Sequence, residues 1–255
     1  MRKFIESKVF AVVMLLGALS ASAGPLANQA VAQTRLKPGI NLFSMRDDVE
    51  VGRRSATEIE RRHRTYNDAR VSRTGARLAA GSSMPGLPWR FRVIDRADAN
   101  AFALPGGPVY VTSGLLRSVR NDSELAGVIA HEITHVTLRH GTNQASKAML
   151  AQMPLQILGG RLGGGLGGNL AQLGVGLGLN SILLRYSRDA ESQADVGAVQ
   201  LMRRAGYNPS GLSSFMSTLK GSGGFFSDHP SPSNRVARIE REIAATNRGS
   251  AYRRR

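Results

Sequence analysis

The chain has 255 residues with no cysteine, 42% hydrophobic and 5% aromatic residues, and a formal net charge of +16. A disulfide framework is excluded, so a hydrophobic core must hold the fold, and this length suffices for one domain. The excess of 34 Lys and Arg over 18 Asp and Glu favours anionic surfaces, but no nucleic-acid-binding motif accompanies it, so no nucleic-acid partner is expected.

The first residues carry Arg2, Lys3 and Lys8, then an apolar run from Val9 to Leu19, then Ala21-Ser22-Ala23 in the small-x-small form of a signal-peptidase site. The run is shorter than the roughly 20 residues a membrane span needs. A cleavable export signal over residues 1–23 is therefore expected, with Ala30-Val31-Ala32 as a second candidate cleavage site and the periplasm as destination. Cleavage removes Arg2, Lys3, Lys8 and Glu6, a net +2, and leaves +14. So basic an exported chain is expected to make peripheral contact with an anionic membrane surface.

Residues 24–47 include Pro25, Pro38 and Gly39 without a sustained period, and read as a linker. A domain is expected over 48–247, followed by a basic tail at 248–255. From Thr57 to Ala80 the charge density predicts one or two surface helices broken around Asn67-Asp68, with His63 a solvated surface imidazole. Trp89 to Ile94 alternates apolar and cationic residues, the period of a half-buried strand, and Val109 to Thr112 predicts a second strand. Leu104-Pro105-Gly106-Gly107-Pro108 is a turn cluster between them, and Pro108 at a strand's first residue marks an edge position.

A helix opens at Asn121, with Glu124 completing a capping-box pattern, and is expected to close at Arg139-His140-Gly141, where His140 would serve as a cation at the helix C-terminus. Its interior is apolar nearly all round, which predicts burial. A Gly- and Leu-rich insertion follows at 157–184, free of charge from Leu162 to Leu184. A transmembrane helix and ordinary core both compete there, and a membrane-touching lid or hairpin near the cleft mouth is favoured. A helix should follow Ser187 and end at Arg203-Arg204-Ala205-Gly206. Asn208-Pro209 should start another that runs to about Lys220, and Ser231-Pro232 a last one with Val236, Ile239 and Ile243 on one face.

The chemistry lies in His131-Glu132-Ile133-Thr134-His135. Residues four apart on a helix are about 40° apart on one face, so both imidazoles can reach one metal ion. Glu132 lies beside that ion, placed to accept a proton from the attacking water. Three polar groups buried without partners would each cost roughly 2 kcal/mol or more, which argues for a metal. A catalytic zinc needs a third protein ligand. The metzincin pattern is excluded, because its histidine position is Gly141 and its glycine position is Leu138. Glu191 and Asp195, four apart on the helix after Ser187, supply the best pair: Glu191 to coordinate and Asp195 to orient a ligand imidazole.

With these residues in place, the chain resembles the HtpX- and BepA-like gluzincins of peptidase family M48. The resemblance rests on Asn100 to Gly107 with Val109 to Val111, on Ser123 to Ala126 running through the motif to Gly141, on Tyr186 to Asp195, and on Asp228-His229-Pro230 with Asn234-Arg235. It implies one Zn2+ per chain on His131, His135 and Glu191, Glu132 as general base, and an edge strand at Val109, Tyr110 and Val111 to which substrate adds as a further strand. It also implies envelope protein quality control. The chain departs from HtpX-like members in having no clear membrane span and from the lipoprotein members in having no cysteine.

His229 is the candidate donor to the developing oxyanion, with a fourth zinc ligand as the other reading. Arg188 and Arg235 are expected to pair with helix carboxylates rather than to join the site. The expected fold is α+β, a predominantly helical zincin-like domain with a small sheet beside the active-site helix, and the expected activity is that of a zinc-dependent endopeptidase on envelope proteins. Two rivals are a non-proteolytic holdase using the same cleft and a polyanion-binding protein driven by charge.

Overall fold

The computed structural model describes Thr34, Leu36, residues 38–152 and 186–219, Gly224, Phe225, His229 and residues 234–252. The expected export signal, its candidate cleavage sites and the Gly- and Leu-rich stretch at 157–184 lie outside the described residues. Twelve elements follow in chain order: α1 (Met45–Arg62), β1 (Thr65–Tyr66), α2 (Ala69–Ala80), β2 (Arg90–Ile94), β3 (Ala101–Ala103), β4 (Pro108–Thr112), α3 (Ser113–Ser118), α4 (Asp122–Thr137), α5 (His140–Gln152), α6 (Arg188–Arg204), α7 (Ser210–Thr218) and α8 (Arg235–Tyr252). The α+β expectation holds. No helix among the described residues is long and apolar enough to cross a membrane.

Helix α1 begins within the stretch that reads as linker. Ser44 accepts from Asp47 N–H while Asp47 accepts from Ser44 N–H, a reciprocal cap that fixes the start at Met45. The chain just before it is tied to α5: Asn41 Nδ2 donates to Thr142 Oγ1 at 2.7 Å and Leu42 N–H to Ser146 Oγ at 2.9 Å. At the other end α8 continues as helix to Tyr252, into the residues read as a tail.

The sheet order is β1-β2-β4-β3, with β2 and β4 parallel and both outer pairs antiparallel. This overturns the edge assignment for Val109, Tyr110 and Val111. The short β3 folds back onto β4 while β2 holds its other side, so all five β4 residues are buried. Pro108 is tolerated because it is the strand's first residue. The edges of the sheet among the described residues are β1 and β3, and β3 is the one beside β4. Leu104 N–H donates to Pro108 C=O and Thr112 N–H to Asn100 C=O, and antiparallel alternation then turns the backbone groups of Ala101 and Ala103 away from β4, with the Ala101 N–H taken by Asn100 Oδ1 at 2.8 Å.

One face of the sheet, with Phe91, Val93, Val109 and Val111, packs on α2 and α4. The other face, with Phe102 and Tyr110, packs on Ala56 and Ile59 of α1. On that side Glu60 gathers Arg90, Arg92 and the Tyr110 hydroxyl, the last at 2.8 Å. Gly52 lets α1 approach the Leu104–Gly107 turn, since a Cβ there would lie 1.8 Å from the Pro105 carbonyl oxygen.

Helix α4 is buried from Glu124 to Thr137 between α2, α6 and α7. Leu125, Ile129 and Ile133 are fully enclosed, each contributing roughly 1.5–3 kcal/mol. Asn121 caps it by accepting from Glu124 N–H at 2.9 Å, but the Glu124 carboxylate turns to Arg120 instead of closing the box. The helix does not stop at Gly141. Leu138 is its cap, Arg139 takes the left-handed conformation at φ 55°, and α5 starts at once with His140. That conformation costs a non-glycine residue roughly 1 kcal/mol or more. The Arg139 guanidinium offsets it by donating to the Asp48 carboxylate at 2.6 and 2.9 Å and to Phe43 C=O at 2.6 Å.

Ser187 caps α6 by accepting from Ala190 N–H, as its position predicts. Helix α7 starts one residue later than the Asn208-Pro209 reading, with Asn208 Oδ1 accepting from Ser210 N–H. On α8 Ile239 and Ile243 are buried as expected, together with Arg235, Glu242 and Thr246, whereas Val236 is exposed. The physical cause is Arg235, which turns inward to carboxylates on α6.

Candidate metal centre

Helix α4 presents His131 and His135 on one face, as their spacing predicts, with Nε2 atoms 3.0 Å apart. Helix α6 crosses it and brings Glu191: Oε2 lies 3.4 Å from His131 Nε2 and Oε1 lies 3.5 Å from His135 Nε2. His229 completes the group, its Nδ1 3.3 Å from His131 Nε2 and 3.0 Å from Glu191 Oε1. The four ligand atoms lie within 4.8 Å of one another, and every one of these residues is buried. His229 is held by its N–H to Phe225 C=O and by stacking on the Phe225 ring at 4.4 Å, while Phe225 N–H is anchored on Ala99 C=O.

Glu132 stands beside this group. Both its carboxylate oxygens are buried without a hydrogen-bond donor among the described residues, and the nearest basic atom is His229 Nε2 at 3.3 Å from Oε1. Three imidazoles and a carboxylate converging among buried side chains, next to an orphaned carboxylate, form the donor set of a zinc site.

Behind the ligands, Asp195 Oδ1 lies 3.1 Å from His131 Nδ1. Arg235, 1% exposed, donates to both Asp195 oxygens and lies 3.1 Å from Glu191 Oε2. Tyr186 stacks on His135 at 3.9 Å. The electrostatics follow the burial. Burial opposes a charge on His131, but hydrogen bonding to Asp195 and Glu191 outweighs it and lifts the imidazole to about 9. Burial holds His135 well below its ordinary value and pushes Glu132 up. Burial would also raise Glu191, but His229 and His131 hold its carboxyl far below the usual range. His140 is not the helix-end cation expected. It is 6% exposed, its Nδ1 is 2.9 Å from His135 Nδ1, and burial pushes it down to about 4.

Residues 65–243, which contain every one of these side chains, match the model of "Peptidase family M48". The chain belongs to peptidase family M48. It is similar to "Mitochondrial metalloendopeptidase OMA1" of Schizosaccharomyces pombe, 32% identical over 177 residues that cover 67% of this chain and 51% of that protein. It is also similar to "Metalloprotease YcaL" of Escherichia coli, 30% identical over 69% of this chain and 73% of that one. A third relative is the "Beta-barrel assembly-enhancing protease" of Escherichia coli, 31% identical over 66% of this chain and 37% of that protein. The match thus spans about half of the OMA1 protein and less of the assembly-enhancing protease.

The buried donor cluster comprises His131, His135, Glu191 and His229, with Asp195 and Glu132 beside it. It does not bring in Val109, Tyr110 and Val111, which are buried in the sheet interior. A narrow cleft instead joins His135, Tyr186, Val136 and Arg139 to Ala103, Leu104 and Pro105 at the end of β3. Arg235, His140 and Tyr186 are the site residues that the sequence reading left out. Arg235 pairs with helix carboxylates as expected, but those carboxylates are Asp195 and Glu191, which puts it at the site; the available signal for Tyr186 was its place next to the Ser187 cap.

Proposed function

We propose that this M48 chain is a zinc-dependent endopeptidase of the cell envelope, in which His131, His135 and Glu191 hold the metal and Glu132 is the general base. The observation that carries this reading is the convergence of the three donors on one point with the unpartnered Glu132 carboxylate beside it. When bound, zinc polarises the scissile carbonyl and lowers the pKa of a water beside it.

Glu132 then takes a proton from the attacking water and returns it to the leaving amine. Its burial, which raises its pKa, suits both halves of that task. Asp195 holds His131 Nδ1 and so keeps the Nε2 lone pair directed at the site. His229, with one ring nitrogen by Glu132 and the other among the ligands, is the donor to the developing oxyanion. Its Nδ1 contacts also support a fourth-ligand role that excludes water in a resting state. An extended substrate would pair with the Ala103 backbone on the β3 edge and run along the cleft past Tyr186.

Envelope substrates, export to the periplasm and contact with an anionic membrane surface rest on the N-terminal signal pattern and the basic charge. The name of the β-barrel assembly-enhancing relative supports substrates of that kind. The holdase reading needs no Glu132. Metal analysis and casein digestion therefore decide between them: Glu132→Gln should retain zinc and lose about 100- to 10,000-fold in cleavage. A variant that keeps zinc and cleaves like wild type overturns the peptidase mechanism.

A further inference from the structure

His140 is buried against the site, and nothing in the proposed hydrolysis uses it. Its ring meets His135 edge-on, centroids 4.9 Å apart, with the two Nδ1 atoms 2.9 Å apart. Two ring nitrogens at that distance share one proton, so one donates and the other offers a lone pair. The direction of that bond follows from the other side of His135. Its Nε2 faces His131 Nε2 and Glu191 Oε1 and must present a lone pair to a metal, so its proton is on Nδ1. His140 must therefore accept at Nδ1 and carry its own proton on Nε2. That Nε2 is buried, as is Oε1 of Gln193, and neither atom has a well-aligned partner among the described residues. Gln193 is the side chain that faces His140 across α6.

We propose that His140 is a positioning residue, a neutral imidazole that fixes the tautomer and ring orientation of His135 through the Nδ1 to Nδ1 hydrogen bond, with the Gln193 carbonyl oxygen behind it. The inference rests on the zinc reading of His131, His135 and Glu191. The two metal-binding histidines are then held differently, His131 by the charged Asp195 and His135 by a neutral acceptor. The difference has an electrostatic reason. Glu132, Glu191 and Asp195 carry three negative charges, and Arg235 with a zinc ion carries three positive ones. A second carboxylate in place of His140 would leave a buried excess of one negative charge. A protonated His140 is equally unsuited, because it would set N–H against N–H.

The test uses the full chain and zinc itself. His140→Asn places a carbonyl oxygen near the position of Nδ1, whereas His140→Leu fills the space without an acceptor. Zinc affinity, read by competition with a chromophoric chelator, should fall about 10- to 100-fold in His140→Leu and be largely restored in His140→Asn. Equal weakening in both variants, or none in His140→Leu, overturns the assignment and leaves His140 as packing. Should His140→Leu fail to fold, imidazole nitrogen NMR of the zinc-loaded wild type decides. His135 should be the Nδ1–H tautomer and His140 the Nε2–H tautomer, and an imidazolium or Nδ1–H form of His140 overturns the proposal. A wild type that binds no zinc overturns the metal reading itself, which is a distinguishable outcome.

Discussion

Arg235 holds Asp195 through two hydrogen bonds, Nε to Oδ2 at 2.9 Å and Nη2 to Oδ1 at 2.6 Å, with both side chains out of contact with solvent. The same Asp195 Oδ1 touches His131 Nδ1, so a guanidinium on α8 fixes the carboxylate on α6 that orients an imidazole on α4. Arg235→Met leaves Asp195 and Glu191 without their cation and should cost about 3–5 kcal/mol in urea unfolding of the metal-free chain. Arg235→Lys keeps the charge but loses the two-point geometry, and should fall between it and wild type. A methionine variant as stable as wild type would contradict this role.

His229→Ala distinguishes the two readings of that residue. As oxyanion donor, its loss lowers turnover on a peptide substrate while zinc content stays near wild type. As a fourth ligand that excludes water, its loss raises turnover and weakens zinc. Steady-state kinetics beside metal analysis reads both.

Zinc removal should destabilise the chain, because binding to the native state alone adds stability in proportion to the logarithm of saturation. A free zinc concentration about 1,000-fold above Kd corresponds to about 4 kcal/mol. A thermal midpoint that is unchanged on chelation and on restoring zinc would show that the site does not hold the metal.

Glu124 supplies a pH-dependent tie at the start of α4. Burial would raise its carboxyl, but hydrogen bonds from Arg120, at 2.7 Å from N–H and 2.9 Å from Nε, outweigh it and lower the pKa from the ordinary 4.5. A folded-state value below the unfolded one means that the contribution is present above about 4.5 and lost as pH falls through the lowered value. Wild type should therefore exceed Glu124→Gln in stability at pH 7, with the gap shrinking as pH falls below the ordinary 4.5. A gap that widens with acidification would refute the assignment.

Local chemistry wrote much of this site into the chain. Asn121 and Ser187 mark their helices by caps that satisfy backbone N–H groups within three residues. The four-residue spacing of His131 and His135 needs nothing beyond the helical turn, and that of Glu191 and Asp195 puts both on the face that meets α4. The Arg139 junction was misread because a glycine two residues on is the commoner stop. The left-handed turn is held here by Asp48, 91 residues away in sequence.

The sequence by itself determined the motif helix, the shared face of His131 and His135 and that of Glu191 and Asp195, because each depends on periodicity or capping within a few residues. Tertiary structure alone decided that β4 is interior and that β3 lies at an edge beside it, since strand order is set by packing between distant segments. It also decided that Arg235 and His140 face inward. A charged or polar side chain is buried only where its partners are, and those partners, Asp195 and His135, come from elements whose meeting no local pattern encodes.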